Sequence, residues 1–270
     1  MPIEHMVAAV MNYCGEKPGE SERYFYDPGP DVVQKPVIMD PREVTIADAR
    51  IEAKTFSPDR QGFKLVDCPA DIAFHADPDE VRARFYPEME RLVRDTLGAE
   101  RVVAFDHDFR TPTVSTETDY LRGIVPVVHN DYTEVSGPQR VKDLLPGEAT
   151  DLLRRRFAFL NVWKPIGYPA EDKPLGVCDS RSIRTDDFIT TYMHYRDRTG
   201  EVYALRYNPD HRWLYIPAMR PDEALLLKVF DSDRDIEARF APHSAFTDPT
   251  TRPDAPPRQS IEVRTIAFFG

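Results

Sequence analysis

The chain has no uncharged apolar run approaching the roughly 18 residues of a membrane-spanning helix, so no membrane partner is expected. Cysteine is scarce: Cys14, Cys68 and Cys178 are the three present. They form no CxxC pair and no zinc spacing, and an odd number argues against a disulfide framework. Reduced thiols in a cytoplasmic protein are the expectation. Basic charge is in deficit, with 35 Lys and Arg against 46 Asp and Glu and a formal net charge of −11. An acidic surface repels phosphate backbones, so no nucleic-acid partner is expected. The N-terminus carries a short apolar run without a basic lead or a small-residue cleavage site, and no signal peptide is read there.

Proline, by contrast, is abundant at 25 residues in 270. Proline punctuates turns and is barred from helix interiors and central strands, so a loop-rich, β-leaning chain is expected. No internal repeat or abrupt change in composition divides the sequence. It is read as one domain, 1–270, in which 1–60 is an extended N-terminal arm and 61–270 holds helices and a β core. A short strand is expected at Gly62–Val66. Asp77 and Pro78 open a helix as cap and first residue, with Asp79 and Glu80 at the positive end of its dipole. Val81, Phe85, Met89, Leu92 and Val93 continue at helical spacing, Pro87 should kink or split the helix, and Gly98 closes it. Further helices are expected from Ser136 to Leu145 and from Glu148 to Arg155.

The second half reads as strands: 157–163, 188–196, 201–207, 212–217, 224–230 and 260–269 are rich in β-branched and aromatic residues. Many short strands with turn punctuation predict a mainly β (α+β) fold, a sandwich or jelly roll with the N-terminal helices packed outside.

The chemistry-bearing pattern begins at the end of the apolar run IVPVV, which leads into His129-Asn130-Asp131. Residues i and i+2 of a strand share a face, so an imidazole and a carboxylate project together. They are two-thirds of a 2-His-1-carboxylate triad, the donor set of non-haem Fe(II) sites. Roughly one His-x-acid match is expected by chance in this composition, and a second occurs at His75-Ala76-Asp77. There Asp77 is already explained as a helix cap. Downstream, His243 lies between apolar flanks. At the start of the last strand Arg258 and Ser260, again i and i+2, form a fork suited to a carboxylate.

The order His-x-Asp, distant His, then Arg-x-Ser resembles the Fe(II)/2-oxoglutarate-dependent oxygenases. More specifically, the chain resembles the CmcJ/AsaB-type hydroxylase and desaturase family, whose relatives include gibberellin GA4 desaturase-like proteins. The segments that carry the resemblance are 61–65, 98–110, 127–133, 160–166, 213–232, 238–246 and 257–264. The resemblance implies a double-stranded β-helix with the metal at its mouth. It implies Fe(II) held by His129, Asp131 and His243, and 2-oxoglutarate held by Arg258 and Ser260, with Arg264 as a second candidate. It further implies O2 as oxidant and hydroxylation or desaturation of a small molecule, as in secondary metabolism, with the oxo acid decarboxylated to succinate. The interval from Asp131 to His243 is long for compact members, and an insertion within 137–190 is expected to fill it.

Asn161 and Trp163 alternate on one face of their strand and are candidates to line the cofactor pocket. Tyr132, Trp213 and Tyr215 are read as packing, Lys228 as reaching solvent from an edge strand in preference to pointing into the pocket at a carboxylate, and Arg110 and Arg122 as solvated surface in preference to meeting an acidic substrate. His107 and His194 are placed near the cleft without a role. Two other functions fit the residues: an iron oxidase that uses no oxo acid, and a metal-free β-sandwich in which His129 and His243 lie apart or in packing.

Overall fold

The protein was analysed as a computed structural model that describes residues 6–15, 21–30, 32–114 and 118–270. Two curled sheets face one another as a jelly roll. The larger is built from β1 (Met6–Cys14), β2 (Ser21–Tyr24), β3 (Met39–Asp48), β7 (His129–Asn130), β9 (Leu175–Cys178), β10 (Phe188–His194), β11 (Thr199–Leu205), β12 (Trp213–Tyr215) and β14 (His243–Ala245). Its nine strands run in the order β1-β3-β12-β9-β14-β7-β11-β10-β2. The smaller contains β4 (Phe63–Asp67), β5 (Arg101–Arg110), β6 (Leu121–Arg122), β8 (Phe157–Pro165), β13 (Glu223–Asp231) and β15 (Ser260–Phe268). Its six strands run in the order β4-β13-β8-β15-β5-β6.

Period-2 alternation sorts the side chains of the smaller sheet. Phe159, Asn161 and Trp163 of β8 stand opposite Ile266, Arg264 and Glu262 of β15, and all point between the sheets. There the apolar members pack with Ala47, Val177 and Leu214 from the larger sheet. Leu160, Val162, Ile261 and Val263 point the other way and bury against Val81, Phe85, Met89 and Val93. That helical stripe is the one the sequence pattern predicts. Asp77 caps α1 (Pro78–Glu80) by accepting from the Asp79 N–H, and Gly98 ends α2 (Tyr86–Leu97) at φ 66°. Between them Val81–Phe85 forms a π turn, closed by the Tyr86 N–H on the Val81 carbonyl. Pro87 has no N–H for the Ala83 carbonyl, and its ring would press on that oxygen, so the turn before it widens.

Three readings of the sequence are corrected by the fold. Residues 1–60 are not simply an arm: among the described ones, 6–14 and 39–48 are paired strands at one edge of the larger sheet, and 21–24 form the other edge. β3 reads as polar because its burial pattern is mostly exposed until Ile46. The interval 137–190 is not an insertion, since β8 and β9 in it are core strands. Only α3 (Ser136–Leu144), α4 (Ala149–Leu152) and short 3₁₀ turns stand outside the sheets. Finally, β13 is flanked on both sides, so Lys228 is fully buried rather than reaching solvent. No helix among the described residues is long and apolar enough to cross a membrane.

Candidate metal centre

β7 has two residues, and its pairing decides the site. His129 stands directly opposite His243 of β14 on one side and Ala204 of β11 on the other. Directly opposed residues in an antiparallel pair share a face, so the two rings meet between the sheets with centroids 4.6 Å apart. Asp131 follows on the same face, 3.5 Å from His129 Nε2 through Oδ1. One ligand atom from each of His129, Asp131 and His243 lies within 4.8 Å of the other two.

The protonation pattern favours a metal. His129 Nδ1 is 2.7 Å from the Val127 carbonyl, and His243 Nδ1 is 3.0 Å from that of Ala241. A carbonyl only accepts, so both Nδ1 atoms carry a proton, and in the neutral ring Nε2 is then the nitrogen left to bind a metal. Burial, and the neighbouring His243, depress the His129 pKa to about 4 against the pull of Asp131. Burial opposes ionisation of Asp131, but the two imidazoles, Arg264 and a hydrogen bond from Asn161 together hold its carboxyl below the usual carboxylate range.

Asn130, between His129 and Asp131, has a role that the sequence reading missed. Its amide donates to the Tyr132 and Val229 carbonyls, each at 2.8 Å, and accepts from the Ala241 N–H at 3.2 Å. One side chain thereby ties β7 to β13 and to the approach of His243. Tyr132 is packing, as read, stacked on Phe159 at 4.3 Å.

The two candidate arginines differ sharply. Arg258 is 2% exposed, with its guanidinium 5.4 Å from the Trp163 ring centre. It donates to the carbonyl of Lys173, a residue held at φ 48°. Its Nε has no hydrogen-bond partner and no carboxylate pairs with it among the described residues. Burial and the nearby Arg110 bring its pKa down to about 10. Ser260 is buried beside it in sequence, with Oγ 3.4 Å from the Arg110 carbonyl. Arg264 shares the inner face, as strand spacing requires, but its guanidinium is already bound by Asp106 at 2.9 Å, Asp108 at 2.8 Å and Glu262 at 2.9 Å. The structure gives it a structural ion network instead of an open fork. Arg110 and Arg122 join the same network through Asp108, at 3.0 and 3.1 Å, and are not simply solvated surface.

Asn161 and Trp163 both line the inner face. The Asn161 amide donates to Asp131 Oδ2 at 2.6 Å. His107 lies on the opposite face of its sheet, fully buried and bonded to Tyr86 Oη at 2.9 Å. His194 stacks on Tyr24 at the far edge of the larger sheet.

The chain is similar to known oxygenases along nearly all its length. A family model described as an oxidoreductase/YMDC permease-like domain matches residues 11–268. The hydroxylase/desaturase efuI of Hormonema carpetanum is 31% identical over 250 residues, 84% of this chain and 83% of that protein. The Fe(II)/2-oxoglutarate-dependent dioxygenase nvfI of Aspergillus novofumigatus is 31% identical over 261 residues, 93% of each. A solved structure of the iron and α-ketoglutarate-dependent endoperoxidase NvfI superposes with a TM-score of 0.84 at 27% identity, covering 98% of both chains.

Proposed function

This chain belongs to the oxidoreductase/YMDC permease-like domain family, and from that premise we propose that His129, Asp131 and His243 are its iron ligands and Arg258 its 2-oxoglutarate anchor. The chain is an Fe(II)/2-oxoglutarate-dependent oxygenase acting on a small molecule, a hydroxylase or desaturase of the kind found in fungal secondary metabolism. Its cofactor set is Fe(II), 2-oxoglutarate and O2.

The observation that carries the site assignment is the convergence of one ligand atom each from two imidazoles and one carboxylate within 4.8 Å of one another. This nitrogen, nitrogen, oxygen set suits Fe(II) and leaves coordination positions open. Iron, 2-oxoglutarate and O2 together supply the oxidant for C–H chemistry. The residues of this chain hold and orient. The Val127 and Ala241 carbonyls fix the imidazole rings, and the apolar core around Val177 and Leu214 keeps bulk water from the interior. Arg258, a buried cation without an anionic partner among the described residues, supports a dicarboxylate cosubstrate over an oxidase that needs none. Ser260 would add a hydroxyl to that anchor. The metal-free reading expects His129 and His243 apart or in packing, and they are paired neighbours.

Residues 1–270 are read as one domain. Three buried free thiols, Cys14, Cys68 and Cys178, support a cytoplasmic setting. The net charge of −11 speaks against a nucleic-acid partner.

The test is an anaerobic titration of the apoprotein with Fe(II) and then 2-oxoglutarate, following the visible charge-transfer band of the chelated oxo acid. A band in the wild type that is lost in His129→Ala, together with loss of succinate formation, supports the assignment. Succinate production retained in folded His129→Ala overturns it.

A further inference from the structure

Asn161 is out of place by apolar patterning. It sits mid-strand in β8, opposite Leu227 of β13 and Arg264 of β15, and is 1% exposed. Its neighbours along the same face are Phe159 and Trp163. An amide there must satisfy its polar atoms or destabilise the fold. Only half of it is satisfied: Nδ2 donates to Asp131 Oδ2 at 2.6 Å, while Oδ1 is buried with no partner among the described residues. The opposite amide orientation would set an oxygen against a carboxylate oxygen, so the donor must face Asp131. This bond crosses from one sheet to the other. No other side chain can take it over, since the adjacent Arg264 is engaged by Asp106, Asp108 and Glu262.

We propose that Asn161 is a positioning residue for the metal centre, which occupies Asp131 Oδ2 so that the carboxylate offers the metal its other oxygen alone. That oxygen, Oδ1, is the one already turned toward His129 Nε2. A carboxylate free to swing could claim two positions on the metal with both oxygens. Fixed on one oxygen, it leaves the extra position open. The inference rests on the ligand assignment above. It adds that the strain of a half-satisfied buried amide is kept for the metal and not for the fold.

The experiment is Asn161→Leu, read by apoprotein melting temperature, by anaerobic Fe(II) affinity and by the charge-transfer band of the Fe(II)–2-oxoglutarate complex. A leucine matches its neighbour Leu227 and removes the unsatisfied oxygen, which offsets the loss of a donor to Asp131 Oδ2, so the apoprotein should melt close to the wild-type temperature. Fe(II) affinity should fall by about 10- to 100-fold, the usual effect of losing a hydrogen bond to a metal ligand, and the band should shift in position. A merely structural asparagine would move the melting temperature and leave the band where it is. Wild-type affinity within two-fold and an unmoved band in Asn161→Leu overturn the inference alone. Wild-type protein that takes up no Fe(II) overturns the ligand assignment and the inference with it. If Asn161→Leu fails to fold, Asn161→Ala, which removes the amide without adding bulk, carries the same readouts.

Discussion

Lys228 and Asp231 meet inside the protein, Nζ to Oδ2 at 2.8 Å, with both side chains fully buried. Asp231 is also gripped by Arg156, at 3.2 Å from Nε and 2.8 Å from Nη2, and Lys228 and Arg156 share Asp59. Two cations and two carboxylates thus neutralise one another where β8 and β13 end. Breaking a buried pair strands a charge, and Asp231→Ala leaves two cations facing Asp59 alone. It should cost about 3–5 kcal/mol. Lys228→Met leaves Asp231 with Arg156 and should cost less. Urea unfolding of the two variants checks the order; equal stabilities would mean that the network is not where the energy lies.

Arg258 is the opposite case, a buried cation that makes no salt bridge among the described residues, with Glu262 and Asp172 acting on it only from farther away. Removing it should not destabilise the apoprotein, and Arg258→Met should match or exceed wild-type stability. The same variant should weaken 2-oxoglutarate binding by roughly 2 kcal/mol or more, since it deletes one partner of a desolvated charge pair. Arg258→Lys keeps the charge without the fork and should recover only part of the loss. Anaerobic calorimetric titration of the Fe(II) form gives both affinities. Undiminished affinity in Arg258→Met would move the anchor elsewhere.

His107 gives a pH dependence away from the metal centre. Burial depresses its pKa below the ordinary 6.5, outweighing the pull of Asp106. Below pH 6.5 the unfolded chain takes up a proton that the folded one refuses, so stability falls as pH drops through that value towards the folded pKa. The contribution from this one site approaches about 1.4 kcal/mol per pH unit. His107→Asn keeps a polar atom near Nδ1 but does not titrate. Its stability between pH 6.5 and 5 should fall less steeply than that of the wild type, as measured by denaturation at fixed pH values. Parallel slopes would show that His107 is already charged in the fold.

The strands of the second half were legible because β8, β13 and β15 are buried on both faces and read as apolar, β-branched and aromatic runs, while β10 alternates along part of its length. The cluster of His129, Asp131 and His243 was legible for a related reason: i and i+2 in extended chain share a face, and His243 lies between apolar flanks. What escaped were choices made by partners far away in the chain. Arg264 and Arg258 are both arginines on β15 or at its threshold. Asp106 and Asp108 of β5, 158 and 156 residues upstream, join Glu262 in engaging Arg264 and make no salt bridge to Arg258. Lys228 looked like an edge lysine because Asp59 lies 169 residues before it. β3 was hidden by its own exposure: with one face wet and Pro41 in it, it reads as loop.

Asn130 and Asn161 should separate by experiment, although one stands between two proposed ligands in sequence and the other is bonded to one of them. Asn130 satisfies both polar atoms of its side chain with backbone groups of the loop after β7, of β13 and of the approach to β14. Asn130→Ala therefore orphans the Ala241 N–H and the Val229 carbonyl, at about 1–3 kcal/mol for each buried group left unpaired. It also loosens the strand pairing that holds His129 against His243, so stability and metal affinity should fall together. In Asn161→Leu only metal affinity should fall. Thermal unfolding with and without Mn(II), a redox-stable substitute for Fe(II), reports both quantities at once, because a ligand that binds only the folded state raises the melting temperature by an amount that grows with the logarithm of its affinity. A lowered apoprotein melting temperature in Asn130→Ala, with an unchanged one in Asn161→Leu and a diminished Mn(II) shift in both, is the expected pattern. An undiminished Mn(II) shift in Asn130→Ala would mean that the imidazole pair holds its geometry without the amide clamp.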